Sequence, residues 1–222
     1  MKLGEPRIQV TTVTVGETNC YFVQKANQVV LVDAGPPGAD KKLIPAAEAA
    51  GIRPEMVKLI FITHSHLDHY GAAAALKAWC GAPVAAHADA PALSRDKRFA
   101  LPPAQTLRGT LIRWVYLLLA PLLHYAPLEA DLALAEDDTL DGYGLEARVL
   151  RLPGHAPDSL GLITPAGQAF VGDLVVNYGL PSQPLYLHSK QDWRASYDRL
   201  LALKPTMVYV GHGDPFSGGQ LA

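Results

Sequence analysis

The sequence predicts an α/β or α+β fold, in which helices cover a core of β-sheet. Three observations support this class. Short β-branched and apolar runs, separated by Gly and Pro, occupy roughly the first sixty residues. Residues 57–63 form a continuous apolar run, which is typical of a buried strand. Segments with helical spacing of apolar residues alternate with the strands along the chain.

In the N-terminal half the predicted strands precede and follow a single helix, and a second helix comes after the buried strand. The predicted strands are 8–15, 20–23, 29–32, 57–63 and 83–86, and the predicted helices are 39–50 and 70–79. The Gly- and Pro-rich segment 33–38 ends the third strand, because these residues break regular structure.

The next segment, from 88 to about 130, has helical spacing and is interrupted by Pro91, Pro102, Pro103 and Pro121. We interpret it as an insertion, or cap, within a single domain spanning 1–222. Within the apolar run 111–128, Arg113 and His124 bracket a core of only ten residues that contains Pro121. This core is too short to cross a bilayer, which takes about 20 apolar residues. The remaining predicted elements are strands at 145–152, 160–164, 169–171 and 207–210, and a helix at 191–203.

Composition and charge narrow the classes of function. The 222 residues are 49% hydrophobic and 18% charged, with a net charge of −2. This balance argues against broad binding of nucleic acid or anionic membranes. The two cysteines form no disulfide or metal-binding pattern, and the N-terminal residues include no apolar signal segment. A cytoplasmic location and a small-molecule substrate are therefore expected.

The strongest motif is His64-x-His66-x-Asp68-His69, directly after the buried strand. A single histidine is more often structural than functional, but four metal-binding side chains in six residues are difficult to explain by packing. His64 and His66 share one face of an extended segment, because alternate residues point the same way. Asp68 and His69 begin the next element and are placed to reach a second metal ion. Imidazole and carboxylate together suit zinc or iron.

Three further candidate ligands follow a glycine at the end of a predicted strand: His155, Asp173 and His212. Glycine permits a sharp turn and a close approach of the backbone at each place. The first motif and these residues account for five of the eight histidines. The sequence therefore predicts a metal site at one edge of the sheet.

With this order of motifs the chain resembles the metallo-β-lactamase superfamily. The resemblance implies a four-layer αββα sandwich with a helical cap insertion. It implies that His64, His66 and His155 bind one metal ion, that Asp68, His69 and His212 bind a second, and that Asp173 bridges both. Asp33 matches a buried acidic position that supports the motif loop. Asp158 stands where relatives usually have a small residue.

The resemblance further implies a hydrolase in which a metal-bridged hydroxide attacks an ester, thioester or lactone. Two divalent ions are expected, with zinc favoured over iron or manganese. Asp68 is the expected catalytic residue, which orients the nucleophile and carries its proton. Asp173 stands where the best-known β-lactamases have a cysteine, so antibiotic hydrolysis is not favoured. The glyoxalase II and lactonase branch matches best.

Two alternatives remain open at the level of the sequence. A mononuclear iron sulfur (persulfide) dioxygenase of the same superfamily shares most of the ligands. A non-catalytic metal-binding protein could keep the fold, although such proteins usually lose ligands. Metal content and oxygen uptake separate these classes from a hydrolase.

Residues that contact the substrate are harder to predict. The apolar run 111–128 could cover the site and bind an acyl group through Trp114, or it could pack against the core or in a homodimer interface. Tyr178 and His188, in the Pro- and Gly-rich loop after Asp173, are further predicted substrate contacts, although an ordinary surface loop is the alternative.

Overall fold

The computed structural model describes residues 7–96, 101–119, 122 and 126–221. Its first sheet has six strands in sequence order, antiparallel at the first two junctions and parallel at the other three. The strands are β1 (Gln9–Val15), β2 (Thr18–Lys25), β3 (Gln28–Val32), β4 (Val57–Phe61), β5 (Val84–His87) and β6 (Leu132–Leu134).

The second sheet is built from the C-terminal half of the chain. Its strands are β7 (Arg148–Arg151), β8 (Leu160–Ile163), β9 (Gln168–Phe170), β12 (Met207–Tyr209) and β13 (Phe216–Ser217), and a separate two-stranded ribbon is formed by β10 (Val176–Asn177) and β11 (Pro181–Ser182). The order in the larger sheet is β13-β12-β9-β8-β7, with β9 and β12 parallel. The carboxyl ends of β7, β9 and β12 therefore lie at the same edge.

Helices cover the outer faces of both sheets. They are α1 (Asp40–Ala49), α2 (Leu67–Tyr70), α3 (Ala73–Cys80), α4 (Ala90–Leu93), α5 (Leu107–Leu119) and α6 (Lys190–Ala202). None of the helices in the described part of the chain is long and apolar enough to cross a membrane.

Three apolar clusters separate four layers. Alternate residues of β3 point to opposite sides, so Leu31 packs with Leu43 of α1 while Val30 and Val32 face the second sheet. The outer face of the second sheet packs against α6 through Leu200. The layers are helix, sheet, sheet and helix, which confirms the predicted αββα sandwich.

The helices and strands of the structure differ from the predicted ones where contacts between residues distant in sequence determine their bounds. The predicted helix 70–79 is two helices, α2 and α3, separated at Gly71. The backbone leaves the helical conformation at Ala72 (φ −103°, ψ 8°). A Cβ at Gly71 would overlap Pro37, so glycine lets the 33–38 turn pack closely against this junction. The predicted strand 145–152 is shorter and begins at Arg148. Strands of two or three residues, such as β6, β10, β11 and β13, carry too little pattern to be predicted.

The segment between β5 and β6 contains α4 and α5, as expected from its helical spacing. That this segment is an insertion in a single domain stays a prediction. His124 and Tyr125, in the apolar run 111–128, lie outside the described residues.

A buried edge of α6 is joined to the loop after β6 by an ion pair. The guanidinium of Arg199 donates to both carboxylate oxygens of Glu136, and the Arg151 N–H donates to Oε2 at 2.6 Å. The Arg199 hydrogen bond lowers the pKa of Glu136 to about 2. Because this pKa lies below that of the unfolded chain, the pair stabilises the fold at neutral pH and loses this effect as the pH falls toward 2.

We expect Glu136→Gln to lower the free energy of unfolding by about 1 kcal/mol at neutral pH, since the pair is one-third exposed and partly screened. Urea denaturation of both proteins across the acidic range measures this. The difference should shrink as the pH falls from the ordinary carboxyl pKa of 4.5 to about 2. A difference that stays constant with pH would contradict the role of the charge.

Candidate metal centre and its pocket

The candidate ligands come from loops at one edge of the two sheets. The motif 64–69 follows β4, His155 lies in the loop after β7, Asp173 follows β9 and His212 follows β12. The strands of the rigid sandwich thus bring together side chains that are far apart in sequence. All seven residues predicted as metal ligands lie in groups whose ligand atoms are within 4.8 Å of one another.

The first group is formed by His64, His66 and His155. The Nδ1 atom of His66 lies 3.0 Å from Nε2 of His64 and 2.9 Å from Nε2 of His155. All three side chains are buried. Three nitrogen ligands that converge in this way can hold one metal ion.

The second group is formed by Asp68, His69 and His212. Oδ2 of Asp68 lies 3.4 Å from Nε2 of His212 and 3.8 Å from Nε2 of His69. Asp173 lies between the two groups. Its Oδ2 is 3.3 Å from Nε2 of His155 and 3.2 Å from Nε2 of His212, and its Oδ1 is 3.4 Å from Nε2 of His69. One carboxylate therefore faces ligands of both groups.

These separations fit metal coordination. Two ligands at zinc-to-nitrogen distances of about 2.0–2.1 Å and a tetrahedral angle lie about 3.3 Å apart. Nε2 of His69 and Oδ1 of Asp173 are buried and make no hydrogen bond with the described residues, although they are 3.4 Å apart. Burial of such atoms without a partner is costly, and a cation between them would satisfy both.

Outer hydrogen bonds fix the orientation of the imidazole rings. Nδ1 of His155 lies 2.8 Å from the Tyr186 carbonyl, and Nδ1 of His212 lies 2.9 Å from the Glu17 carbonyl. A carbonyl only accepts, so each Nδ1 carries the proton and each Nε2 presents its lone pair to the cluster. This arrangement is common for histidines that bind metals.

Asp33 lies outside the cluster and orients two of its ligands, His69 directly and His64 through Thr63. Its carboxylate accepts the Thr63 N–H at 2.8 Å and the Thr63 hydroxyl at 2.9 Å, and Oδ2 lies 2.8 Å from Nδ1 of His69. Since the Thr63 hydroxyl donates to Asp33, it accepts from Nδ1 of His64 at 3.0 Å. Asp33 is 1% exposed, and it contacts the motif loop as the sequence led us to expect.

Burial keeps the first group of histidines neutral. It lowers the pKa of His64 well below its ordinary value and that of His66 to about 3, and neighbouring histidines add to the effect. Burial also lowers the pKa of His155. Neutral imidazole is the form that binds a metal ion.

The carboxylates are held in their charged form. Burial raises the pKa of Asp68 and Asp173, but the adjacent histidines outweigh it and keep both well below the ordinary value. Burial likewise lowers the pKa of His69 and His212, but the carboxylates raise these to about 9 and about 12. Without an ion, protonated His69 and His212 therefore balance the charges of Asp68 and Asp173, and a metal ion that binds to these residues releases the protons of the two histidines.

A cavity of about 250 Å³ opens onto this cluster. Its walls combine cluster residues with side chains that are mainly apolar or aromatic: Glu17, His66, Asp68, Leu101, His155, Asp173, Val176, Tyr178, Pro184, Leu185, Tyr186 and His212. Of the predicted substrate contacts, Tyr178 lines the cavity. Among the described residues, Trp114 and His188 do not line it, and Trp114 is 65% exposed on α5.

The structure also shows supporting residues that the sequence did not indicate. The Thr18 hydroxyl donates to Oδ2 of Asp68 at 3.2 Å, and the Asn19 amide donates to the carbonyls of Val210 and Gly213, on either side of His212. Both come from the β1–β2 hairpin, which is distant in sequence from the ligands and has no motif. In the sequence, only the polar residues of the neighbouring turn could have indicated that this hairpin supports the site.

Asp158 contacts the backbone of the 64–69 motif. It is fully buried, and its Oδ2 accepts the Ser65 N–H at 2.8 Å, between the two first ligands of the motif. Burial raises the pKa of Asp158. The departure from a small residue at this position therefore adds a direct contact to the motif backbone.

The four-layer sandwich and the His–Asp cluster at its edge define a metallo-hydrolase class of protein. The model of the metallo-β-lactamase superfamily matches residues 13–212. The chain therefore belongs to the metallo-β-lactamase superfamily.

Relatives of known or assigned class are similar along nearly the whole chain. A probable metallo-hydrolase of Bacillus subtilis, YflN, is 25% identical over 92% of this chain and 84% of its own length. The hydroxyacylglutathione hydrolase GloC of Haemophilus influenzae is 27% identical over 96% of this chain and 93% of its own. Both names are consistent with a hydrolase.

Solved structures show the same fold. The B3 metallo-β-lactamase BLEG-1 has a TM-score of 0.71 and 22% identity, covering 96% of this chain and 95% of its own. A metallo-β-lactamase family protein from Thermus thermophilus has a TM-score of 0.67 and 24% identity, covering 96% and 76%.

Proposed function

We propose that the protein is a hydrolase that uses two divalent metal ions, preferably zinc, to cleave an ester, thioester or lactone in a small apolar substrate. The observation that carries this proposal is the convergence of seven ligand residues at the base of one cavity, with Asp173 facing both groups. A cytoplasmic location remains part of the same expectation.

Each ion has a complete set of protein ligands. His64, His66 and His155 would hold the first, and Asp68, His69 and His212 the second. Asp173 would contact both through its two oxygens. Bound divalent ions supply Lewis acidity and lower the pKa of water from 15.7 to about 7, so that hydroxide is available at neutral pH.

Asp68 is the residue best placed to handle a proton. Its side chain is 43% exposed and lines the cavity, and the Thr18 hydroxyl fixes Oδ2 by a hydrogen bond. Its low pKa keeps the carboxylate charged. Asp68 would orient the attacking water, accept its proton and transfer that proton to the leaving group.

The walls of the cavity favour an uncharged acyl group. Beyond the ligand residues, Glu17 is the single charged lining residue in the described ranges, and the other walls are apolar or aromatic. None of the described lining residues beyond the cluster is a cation that could bind the carboxylates of a leaving group such as glutathione. We therefore infer that this chain prefers neutral acyl esters, thioesters or lactones to the thioester named for the relative GloC.

Activity on a graded series of acyl esters, thioesters and lactones, with a hydroxyacylglutathione for comparison, tests this function. We expect kcat/KM to rise about fourfold for each added methylene until the cavity is filled, because each buried methylene contributes about 0.8 kcal/mol. No hydrolysis of any member by the zinc-loaded protein would contradict the proposal.

Leu185→Ala tests the cavity wall directly. Leu185 lines the cavity, whereas Leu180 is 79% exposed and does not line it among the described residues. We expect Leu185→Ala to lower kcat/KM about tenfold for long acyl chains and little for acetyl esters. Leu180→Ala is the matched control and should change neither. Equal loss for all chain lengths in Leu185→Ala would refute the role of this wall.

Gly211→Ala tests whether the close packing of Gly211 against two candidate metal ligands is needed for metal binding. A Cβ at Gly211 would overlap Oδ1 of Asp173 and lie 2.8 Å from Cε1 of His69. Displacing these ligands should weaken metal binding at least about tenfold, since overpacking costs about 1–3 kcal/mol. Gly142→Ala is the control, because a Cβ there has no atom within 4 Å. Titration against a chelator measures both, and unchanged affinity in Gly211→Ala would count against the assigned ligands.

A further inference from the structure

Helix α5 presents an apolar face to solvent. Leu107, Leu111, Trp114 and Leu118 are exposed by 88%, 67%, 65% and 78%. Their spacing of four, three and four residues places them on one side of the helix. Exposed side chains of this size, contiguous along about three turns, form a patch that is rare on a protein surface without a partner.

The opposite side of α5 is less apolar than the side that faces solvent. Gly109 is buried, and half-buried Arg113 donates from Nε to the Leu101 carbonyl at 3.0 Å. Surface helices of globular proteins normally turn their apolar stripe toward the core. The reversed arrangement means that the exposed leucines and Trp114 do not stabilise the fold of the isolated chain.

Through its buried side, α5 packs beside the cavity that opens onto the metal cluster. The Gln105 N–H donates to the Leu185 carbonyl at 2.9 Å, and the Tyr186 hydroxyl donates to the Gly109 carbonyl at 3.4 Å. Leu185 and Tyr186 both line the cavity. A surface that covers α5 would therefore lie beside the entrance for substrate.

The charge of the segment that contains α5 indicates which kind of partner would cover its apolar face. Between Asp96 and Glu129 the sequence has four cationic residues and no carboxylate, although the chain as a whole has a net charge of −2. Of the two that lie on α5, Arg113 is on the side away from the apolar face. Arg108 is exposed beside the apolar face. A two-fold dimer through this face would bring together two copies of Arg108 with no carboxylate from the same segment, whereas anionic lipid headgroups would neutralise this charge.

We propose that the outward face of α5 docks on the surface of an anionic lipid bilayer. Leu107, Leu111, Trp114 and Leu118 enter the boundary between headgroups and acyl chains, and Arg108 contacts the headgroups. The cavity mouth is then held close to the membrane. Net charge alone argued against broad membrane binding, but the charge is unevenly distributed and this segment is cationic. The proposal is independent of the reaction that the metal centre catalyses.

Co-sedimentation of the whole protein with vesicles tests the proposal. We expect binding to vesicles of phosphatidylcholine mixed with phosphatidylglycerol, and much weaker binding to phosphatidylcholine alone. The double variant Leu111→Gln/Leu118→Gln should bind at least about tenfold more weakly. Arg108→Glu should bind about fivefold more weakly or worse. Lys41→Glu, an equal change of charge at an exposed position of α1, should bind as the unchanged protein does.

Fluorescence gives a second readout. Trp79 and Trp193 are half-buried, whereas Trp114 is exposed. We expect a blue shift of emission on addition of anionic vesicles, and loss of that shift in Trp114→Phe. Hydrolysis of a water-soluble ester by the Leu111→Gln/Leu118→Gln variant should be unchanged, which shows that this variant is folded.

Three outcomes would overturn the proposal. Undiminished vesicle binding by the double variant would show that α5 does not dock. Equal binding to neutral and anionic vesicles would remove the role of Arg108. Absence of vesicle binding, with a dimer that the double variant converts to monomer, would show that a second copy of the chain covers this face.

Discussion

Replacing Asp173 by alanine should weaken metal binding at both positions and lower kcat/KM by about a thousandfold or more. Its two oxygens lie 3.2–3.4 Å from Nε2 of His69, His155 and His212. Without this carboxylate the cluster would lose a negative charge and a ligand, so its histidines would hold a cation less tightly. Loss of the Lewis acid removes several kcal/mol of stabilisation from the transition state, and each 1.36 kcal/mol is tenfold in rate.

Steady-state kinetics on the best ester, together with elemental analysis of the same samples, measures this effect. Asp214→Asn is the control, because it removes an exposed carboxylate two residues beyond His212 and leaves the cluster intact. Retention of both ions and of activity in Asp173→Ala would mean that the carboxylate does not bridge the two groups.

Asp33→Asn should weaken metal binding at the second position by about 10–100-fold, as loss of outer hydrogen bonds to ligands typically does. The amide would still accept the Thr63 N–H, but its NH₂ group would oppose the hydroxyl of Thr63 or Nδ1 of His69, which both donate to Asp33. A buried donor left without an acceptor also costs about 1–3 kcal/mol of stability.

Competition with a chelator and thermal unfolding measure the two effects separately. Thr63→Val removes one of the three hydrogen bonds to Asp33 and should produce only part of the loss at the second position; because it also removes the partner of His64 Nδ1, it should weaken the first position as well. If Asp33→Asn binds metal as tightly as the unchanged protein, the orientation of His69 by Asp33 is not needed for the site.

The α/β class and the metal-binding cluster were predictable because their signals are local in sequence, whereas the four-layer αββα arrangement was implied by the resemblance to the superfamily. His64, His66, Asp68 and His69 lie in six consecutive residues after a strand whose apolar run identifies it. Glycine before a candidate ligand at a strand end identified Asp173 in the same way. Assignment of each of these side chains to a particular metal ion came from the resemblance and remains a prediction.

Features that depend on distant contacts could not be predicted. Pro37, far away in sequence, packs against Gly71 in the space that a side chain would occupy, beside the junction between two helices. Thr18 reaches Asp68 across fifty residues of sequence. The apolar run containing Trp114 indicated a contact of some kind, but only the structure shows that its side chain faces outward from α5 and not into the cavity.

The metal content of the purified protein tests the central claim most directly. Elemental analysis of protein prepared without a chelator or a histidine tag, and again after reconstitution, gives the identity and number of ions per chain. We expect about two zinc ions per chain, in keeping with two complete sets of ligands that share Asp173. About one iron per chain, with oxygen uptake on a persulfide, would instead indicate a dioxygenase. No retained metal after reconstitution would contradict the account.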